Sequence, residues 1–528
     1  MPGPTEVTGA DRLWWQTPAA KALLAGALLA LSYPPLPLGF VAYFAVVPLL
    51  QALRQTGGRE GFRLGYLTGL VYCAGVMYWI GMNTGTYRWA AVVSAIMAVA
   101  FIAVNTGLFG LAMGLVHRKH LPGGWWWAAP LWTGVEFLRS FGILVFPWGN
   151  LSLTQAHYLP IIQMASITGM YGVSFWILLV NTAVFYYLES RATGGVPVKR
   201  MGLLLLIYLV PLGYGVAVLE TLPGRTAASH PVRVGVVQPN TDPNRKGDEA
   251  FRRQNFLRMD SLSTISAAHQ ADLIVWPEAS APAYVRLNRY GYRTRLQRWV
   301  DSTRIPILTG VVDWEAGPTG KTPRENGYFY NAAMLFEPGR DALQTYRKVK
   351  LVPFAEYVPY QRIFGFFYAM DLGQGWYTPG REYTVFDSRA AGGTQFSAAI
   401  CYDSSFPGLV WRFRQQGADW LAVITNDAWF GDSSGPFQHA QWARIRAVEN
   451  RMPVIRAANT GISMIIDPWG RIRGRLPLDA TGTLTGTVET GLAPSWYARH
   501  GDLFGGAGAL MAVLAVVGAL IGPARFRK

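Results

Sequence analysis

The sequence predicts a membrane α-helical bundle of eight transmembrane helices joined to one large α/β domain outside the membrane. Apolar residues make up 51% of the 528 residues. Charged residues make up only 15%, well below the roughly 25% usual for soluble domains. The mean hydropathy is +0.18. Residues 1–222 and 503–522 are apolar and poor in acids, whereas about 225–500 has an ordinary globular composition, so the chain divides into membrane and globular parts.

Eight apolar segments are close to or above the length of about 20 residues that a transmembrane helix needs. We place them at roughly 18–33, 36–53, 64–84, 89–116, 123–139, 161–188, 201–220 and 503–522. Seven of them belong to a membrane domain at 1–222, and the eighth begins a segment, 503–528, that ends in a basic tail. No small-residue cleavage site follows the first segment, which predicts a retained anchor and not a removable signal peptide.

Basic residues predict the orientation, because short cytoplasmic loops are enriched in Lys and Arg. They occur at the N-terminus, in the even-numbered connections and in the C-terminal tail: Arg12; Arg54, Arg59 and Arg63; Arg118 and Lys119; Arg191, Lys199 and Arg200; Arg525, Arg527 and Lys528. The odd-numbered connections carry almost none. We therefore expect both termini in the cytoplasm and residues 225–500 on the other side of the membrane.

The net charge of +16 would also suit a nucleic-acid-binding protein. However, the basic residues cluster beside the apolar segments and form no stripe with interleaved aromatic residues, so we expect no nucleic-acid partner. Within the segments, Glu136 and Arg139 lie one helical turn apart near the end of the fifth. Intramembrane charges are candidates for function, although such a pair is more often a structural ion pair.

From residue 232 onward, short β-branched runs alternate with amphipathic segments, which predicts a layered α/β core. The expected strands are 232–238, 272–276, 305–312, 331–336, 396–402, 420–425, 453–458 and 463–467, and the expected helices are 247–268, 288–302 and 436–450. GPTGKT (317–322) lacks the first glycine of a phosphate-binding loop, and the seven His residues have no zinc-site spacing. We therefore expect neither a cofactor nor a metal.

Cys401 is the one cysteine of the globular part, since Cys73 lies in an apolar segment. A buried cysteine is usually a small hydrophobic residue, but Cys401 ends an apolar strand, where α/β folds place reactive groups. A nucleophilic thiol needs a base. Glu278 follows the strand LIVW, and Lys348 is a further candidate. Taken alone, however, such a glutamate is more often a surface group, and such a lysine is more often a solvated charge.

Three motifs together resemble the Glu-Lys-Cys signatures of the nitrilase superfamily: VWPEAS with Glu278, YRKVKLVPFAE with Lys348 and ICYDSSFP with Cys401. The segments LVPFAEYVP and 425–463, with apolar segments on both sides of the domain, resemble the apolipoprotein N-acyltransferase family of the bacterial inner membrane. The resemblance implies a nitrilase-like αββα sandwich at 225–500, facing the periplasm.

The resemblance also implies a two-step acyl transfer. A phospholipid donates a fatty acyl chain to Cys401, and the thioester then acylates the α-amino group of the N-terminal diacylglyceryl-cysteine of an apolipoprotein. Glu278 matches the general base and Lys348 the lysine that stabilises the oxyanion. The matching supporting residues are Glu356, Tyr402, Asn331 and Asp403, the last standing where the family commonly has Glu.

The segment IFGFFYAM (363–370) is apolar but far too short to span a membrane. Because a thioester must be shielded from water, we expect Phe364, Phe366 and Phe367 to contact lipid as a lid, with core packing as the alternative. The sequence leaves two other functions open. One is a membrane-anchored amidase with the same three catalytic residues, and the other is a transporter with an inert binding domain.

Overall fold

The structure of the protein is a computed structural model. It describes residues 14–119, 121–194, 198–221, 231–245, 249–281, 284–288, 290–317, 327–366, 370 and 375–521. Arg12, Phe367, most of the GPTGKT segment and the basic C-terminal tail lie outside the described residues.

The described residues of the first part of the chain form eight α-helices: α1 Pro18–Leu31, α2 Val47–Ala52, α3 Gly58–Met77, α4 Arg88–Arg118, α5 Ala128–Leu138, α6 Leu159–Ile162, α7 Ala165–Ala192 and α8 Val198–Thr221. Across the described residues, five helical stretches are long and apolar enough to cross a membrane: Gly58–Met82, Arg88–Arg118, Ala165–Ala192, Val198–Thr221 and Leu503–Ile521. The segments expected at 18–33, 36–53 and 123–139 contain shorter helices. The second of these is broken into a 3-10 turn, Gly39–Tyr43, and the short α2.

Small residues bring α3 and α4 into close contact. An added Cβ at Gly61 would collide with the carbonyl oxygen of Gly110, and one at Gly65 would collide with that of Thr106. Lipid tails are as apolar as leucine, so membrane helices gain stability mainly from such close van der Waals packing. The same glycines that lower helix propensity in water therefore let these two helices associate.

Two six-stranded sheets form the second part of the chain. The strands are β1 Pro231–Gln238, β2 Leu273–Val275, β3 Ile307–Ala316, β4 Gly327–Phe336, β5 Gln344–Arg347, β6 Val385–Ser388, β7 Thr394–Ile400, β8 Trp420–Thr425, β9 Val454–Ala458, β10 Ser463–Ile466, β11 Ile472–Leu476 and β12 Gly482–Glu489. Their order is β12-β1-β2-β3-β4-β5 in one sheet and β11-β10-β9-β8-β7-β6 in the other. The sheets face each other through contacts such as β1 with β9 and β4 with β7.

Helices cover the outer faces of both sheets and complete an αββα sandwich. They are α9 Glu249–Ala268 and α10 Tyr292–Thr303 on the first sheet and α13 Gly435–Asn450 on the second, with α12 Pro407–Gln415 and the short α14 Trp496–His500 packed against α13. The short α11 Gln361–Phe364 lies between β5 and β6 in the chain. The chain then returns to the apolar helices as α15 Leu503–Ile521.

Helix α13 connects the sandwich to the membrane helices, and nearly all of its residues are buried. The indole of Trp148 donates a hydrogen bond to Gln438 Oε1 at 2.7 Å. The backbone N–H of Met170, at the break in α7, donates to Glu449 Oε1 at 2.8 Å. These contacts fix the sandwich against the helices that precede it in the chain.

Candidate active site

Polar side chains follow three strands and meet in one cleft. Glu278 comes three residues after β2, Lys348 directly follows β5 and Cys401 directly follows β7. All three side chains are buried. The turn at Glu278 fits because Gly310 of β3 lies against it, where an added Cβ would collide with the backbone. The sequence-predicted triad is therefore brought together at the carboxyl ends of strands, where α/β folds commonly bind substrates.

Hydrogen bonds fix the spacing of the carboxylates in this cleft. The Asn331 amide donates from Nδ2 to Glu278 Oε1 at 2.7 Å and to Glu356 Oε1 at 3.0 Å. Lys348 Nζ lies 2.8 Å from Glu356 Oε2 and 3.9 Å from Glu278 Oε1. We call Glu278, Asn331, Lys348, Glu356 and Cys401 the cleft cluster.

The electrostatics of the cleft cluster keep the lysine charged and the thiol protonated at rest. Burial alone lowers the pKa of the Lys348 ammonium, but Glu356, Cys401 and Glu278 together raise it above its usual value. Burial and the charge of Glu278 raise the pKa of the Cys401 thiol, although Lys348 opposes this in part. A thiol of this kind becomes a nucleophile only when a neighbouring base removes its proton during the reaction.

The strand that carries the nucleophile ends two residues earlier than the expected 396–402. It stops at Ile400, and Cys401 has φ +50° in the left-handed region, which is uncommon for a residue other than glycine. The chain turns there into the 3-10 helix Cys401–Ser405. The turn lifts the thiol out of the sheet ladder, so the sulfur is presented to the cleft and not to a neighbouring strand.

Asp403 holds this turn against the segment that carries Lys348. Its carboxyl accepts hydrogen bonds from the Tyr346 hydroxyl at 2.8 Å, from the Lys350 N–H at 2.8 Å and from the Ile400 N–H at 3.2 Å. Burial raises the pKa of Asp403 to about 6. Asp403, which is one methylene shorter than the Glu common in the resembled family, therefore links the end of β7 to the segment after β5.

Tyr402 points in the opposite direction, toward the membrane helices. Its hydroxyl donates to the carbonyl of Val145 at 2.8 Å, and the hydroxyl of Tyr357 donates to the carbonyl of Ile143 at 2.9 Å. Both carbonyls belong to residues 140–148, which we call the membrane-side loop. The loop between α5 and α6 thus contacts the neighbours of both Cys401 and Glu356.

A second buried group of charges lies behind Cys401. His439 Nε2 is 3.1 Å from the Cys401 carbonyl oxygen, and its Nδ1 is 2.8 Å from Asp427 Oδ1. Arg456 Nη2 donates to Asp427 Oδ2 at 2.7 Å. Burial alone raises the pKa of the Asp427 carboxyl, but Arg456 and His439 lower it below its usual value. We call Asp427, His439 and Arg456 the supporting network.

The apolar segment after Glu356 lies at the surface. Ile363 is 66% exposed and Phe366 57% exposed, while the half-buried ring of Phe364 packs edge-on against Phe354 with centroids 5.6 Å apart. Phe367 lies outside the described residues. Phe364 and Phe366 therefore follow Glu356 in a segment at the protein surface. The exposure of Phe366 shows that its ring does not belong to the packed core.

Sequence reasoning did not identify the supporting network or the membrane-side loop. His439 lies on α13, which is buried on every side, so no amphipathic pattern separates it from its neighbours. A usable signal was present, because polar residues in a helix buried all round must have polar partners. The contact of Tyr402 with Val145 joins residues far apart in the sequence, which periodicity does not reveal.

Two family models and several curated relatives match this chain. The family described as carbon-nitrogen hydrolase matches residues 233–498, and the apolipoprotein N-acyltransferase N-terminal domain matches residues 25–183. The apolipoprotein N-acyltransferase of Geobacter metallireducens is 37% identical over 94% of each chain. That of Chlorobaculum tepidum is 33% identical over 94% of this chain and 96% of its own. Among solved structures, an amidase from Nesterenkonia sp. matches 52% of this chain and 93% of its own, with 24% identity and a TM-score of 0.37.

Proposed function

The chain belongs to the apolipoprotein N-acyltransferase family, and we propose that it moves a fatty acyl chain from a phospholipid to an apolipoprotein through a thioester at Cys401. The acceptor is the α-amino group of the N-terminal diacylglyceryl-cysteine. The observation that carries this proposal is the cleft cluster, in which a thiol, an ammonium and two carboxylates lie together at strand ends.

In the first half-reaction, Glu278 takes the proton of the Cys401 thiol and the sulfur attacks the carbonyl carbon of the phospholipid ester. The negative oxygen that forms is stabilised by the Lys348 ammonium and the backbone N–H of Tyr402. One such donor is worth about 3–4 kcal/mol. The carbon–oxygen bond then breaks, and the lysophospholipid alcohol leaves with the proton that Glu278 returns.

In the second half-reaction, the α-amino group of the acceptor attacks the thioester carbonyl. Glu278 accepts the amine proton, and the Cys401 sulfur leaves as a thiolate that regains a proton from Glu278. The same carboxyl therefore acts as base and then as acid in each half. General acid–base help of this kind contributes roughly 10²–10⁴-fold to the rate.

The supporting residues position these groups. Glu356 holds Lys348 at 2.8 Å, and Asn331 bridges Glu356 and Glu278, so the ammonium and the base keep a fixed separation. Asp403 joins the Lys348 segment to the Cys401 turn. The hydrogen bond from the Tyr402 hydroxyl to Val145 holds that turn at a fixed distance from the membrane-side loop.

Shielding of the thioester from water favours a site against the lipid surface. The exposed Phe366, together with Phe364, is well placed to contact lipid, and we assign Phe367 the same role from the sequence. The carbonyls of the membrane-side loop already meet Tyr402 and Tyr357 from the membrane side. An acyl chain lying along this side would reach Cys401 without crossing water.

We also propose eight transmembrane helices in the bacterial inner membrane, with both termini cytoplasmic and the sandwich periplasmic. Five long apolar helices support this, together with the basic residues of the even-numbered connections. The shorter helices α1, α2 and α5 complete the count, since α1 and α5 pack against the long helices α3 and α15.

The experiment that tests the function supplies purified protein in detergent with a phospholipid whose acyl chain is labelled, then adds a synthetic diacylglyceryl-cysteine peptide. We expect the label to appear on the peptide amine with wild type and not with Cys401→Ala. Release of the label to water alone, at the same rate with or without the peptide, would show an amidase-like hydrolase and contradict the proposal.

A further inference from the structure

Glu136 and Arg139 lie near the end of α5 and have different surroundings. Glu136 is buried and accepts hydrogen bonds from Trp132 Nε1 at 3.0 Å, from Asn150 Nδ2 at 2.7 Å and from the Leu151 N–H at 2.9 Å. These bonds satisfy its carboxylate within the fold. Arg139 approaches Glu136 only to 4.0 Å, which is an ion pair without a hydrogen bond. The acid is therefore a structural group, whereas the arginine has donors to spare.

The spare donors form one edge of the guanidinium. Nε and Nη2 of Arg139 are both buried without a hydrogen-bond partner among the described residues, and the side chain is only 10% exposed. Other arginines of this chain use the same edge to bind both oxygens of a carboxylate. Nε and Nη2 of Arg286 donate to Asp313 at 2.9 and 3.2 Å, and those of Arg63 donate to Glu60 at 2.9 and 2.6 Å. Two buried donors are costly unless an acceptor fills them, and the fork geometry of a guanidinium fits an oxyanion best.

A small cavity lies at this arginine. Its volume is about 20 Å³, and its lining includes Arg139 and Glu136 from α5, Asn105 from α4, Tyr72 from α3 and Gly149 beyond the membrane-side loop. A cavity of this size admits about one oxygen-sized atom, since a single water needs at least ~10–15 Å³. It therefore has room for one oxygen of a larger group whose remainder stays outside.

The arginine is also linked to the active site. The membrane-side loop begins directly after it and makes the contacts to Tyr402 and Tyr357 described above. Its charge is close enough to lower the pKa of the Tyr402 phenol in part, although burial raises that pKa overall. Arg139 is the only charged residue from 137 to 156, so it is the one cation that this stretch of the chain offers to an anion.

We propose that Arg139 binds a phosphate oxygen of the acyl donor through its Nε–Nη2 edge, and that this end of α5 is the subsite for the phosphate of a glycerophospholipid. The proposal rests on the proposed function, because it concerns the donor of that reaction. The phosphate is common to all glycerophospholipids and lies only a few bonds from their esters. The subsite therefore recognises the class of donor and not one head group, and it places the ester near Cys401.

The test compares two donors that share their acyl esters and differ in the phosphate: dioleoyl phosphatidylglycerol and dioleoylglycerol. The readout is kcat/KM for acyl-enzyme formation, taken as the ratio between the two donors. Arg139→Gln is expected to lower this ratio by roughly 10- to 100-fold, as for loss of a charged hydrogen-bonded pair. Arg139→Lys keeps the charge without the fork and should fall between. Arg59→Gln, at an exposed arginine near the start of α3, is the matched control and should keep the wild-type ratio.

Each outcome decides the proposal. An equal loss with both donors in Arg139→Gln would show a purely structural role and overturn it. Added inorganic phosphate should inhibit wild type competitively with phosphatidylglycerol only. If phosphate binds but the donor ratio does not depend on Arg139, the site takes free anions and the proposal is wrong. If wild type accepts neither donor, the proposed function itself fails and the subsite fails with it.

Discussion

The cleft cluster and the supporting network are both buried groups of charges, but their compositions are opposite. The cleft cluster surrounds one cation, Lys348, with two carboxylates. The supporting network surrounds one carboxylate, Asp427, with Arg456 and the imidazole of His439. In the cleft cluster the second carboxylate remains available to accept a proton. In the supporting network the single carboxylate is stabilised in its charged form by two basic partners, so it is a poor proton acceptor. The first arrangement therefore suits proton transfer and the second suits rigidity.

Cys401 lies between the two groups and is influenced by both. The charges of Glu278 and Lys348 shift the pKa of its thiol in opposite directions, while its carbonyl oxygen lies 3.1 Å from His439 Nε2. We infer that the cleft cluster governs the reactivity of the sulfur and that the supporting network stabilises the fold behind it. Variants in the two groups should therefore produce different kinds of defect.

The largest effect is expected from Lys348→Met, which removes the cation of the cleft cluster. Without the ammonium the oxyanion loses a charged donor, so acyl-enzyme formation should slow by about 10²–10³-fold. The matched control is Lys350→Met, two residues along the same segment. A rate for Lys348→Met within a few-fold of the Lys350→Met rate would contradict the role of Lys348.

Asp427→Asn should produce a defect of stability. It leaves the Arg456 guanidinium, which is fully buried, without its counter-charge, and breaking a buried pair in this way costs about 3–5 kcal/mol. Thermal unfolding in detergent should show a lower midpoint, while the folded fraction keeps an acylation rate close to that of wild type. If Asp427→Asn left the unfolding midpoint unchanged but abolished acylation, the supporting network would act in the reaction and not in stability, which would contradict the inference.

Asp403 differs from Asp427, because it accepts hydrogen bonds but forms no ion pair with any cation among the described residues. Its pKa is about 6 in the folded protein, against roughly 4 in an unfolded chain. The folded state binds this proton more tightly, so the contribution to stability is full below about pH 4 and is lost as pH rises through about 6. The loss amounts to about 3 kcal/mol.

The measurement is the pH dependence of thermal unfolding between about pH 4 and pH 7 for wild type and Asp403→Asn. The variant should lack this part of the dependence, since its amide does not titrate. The exposed Asp341→Asn serves as the control and should follow wild type. Parallel profiles for wild type and Asp403→Asn would contradict the raised pKa.

The smallest expected effect concerns Phe366, which is exposed in the segment after Glu356. Phe366→Asp should lower turnover of phospholipid in liposomes by about tenfold, because a charge replaces an apolar group at the lipid surface. The unfolding midpoint should not move. Leu257→Asp, at a 44% exposed leucine on the outer face of α9, is the control and should leave turnover unchanged. Equal turnover by Phe366→Asp and Leu257→Asp would contradict the proposal that Phe366 contacts lipid.

The strand pattern of the sequence predicts the positions of Glu278 and Cys401, whereas the roles of Lys348, Glu356 and Asn331 follow only from the resemblance of the motifs. Glu278 and Cys401 stand where a hydrophobic run ends, and strand ends on the same edge of a sheet meet in space. The sequence predicts the boundary at Cys401 less well. The strand stops at Ile400, because the left-handed backbone of Cys401 begins a turn, and a run of small apolar residues does not reveal that φ.

The remaining elements depend on contacts that a local pattern does not contain. Strands β11 and β12 are largely exposed or half-buried, so they lack the continuous apolar run that marks β8. The second membrane segment is apolar enough for a span, yet Pro48 and the Pro-rich break before it favour short turns. Helix α13 is polar and still buried, because the membrane helices cover it.

The central claim is that the acyl chain passes through a thioester on Cys401, and mass spectrometry of the acyl-enzyme tests it most directly. Protein incubated with phospholipid and no acceptor should carry one acyl chain on the peptide that contains Cys401. Hydroxylamine should release that chain, and addition of the diacylglyceryl-cysteine peptide should remove it as fast as product forms. Product formed at the full rate with no acyl group ever detected on Cys401, or by Cys401→Ala, would contradict the account.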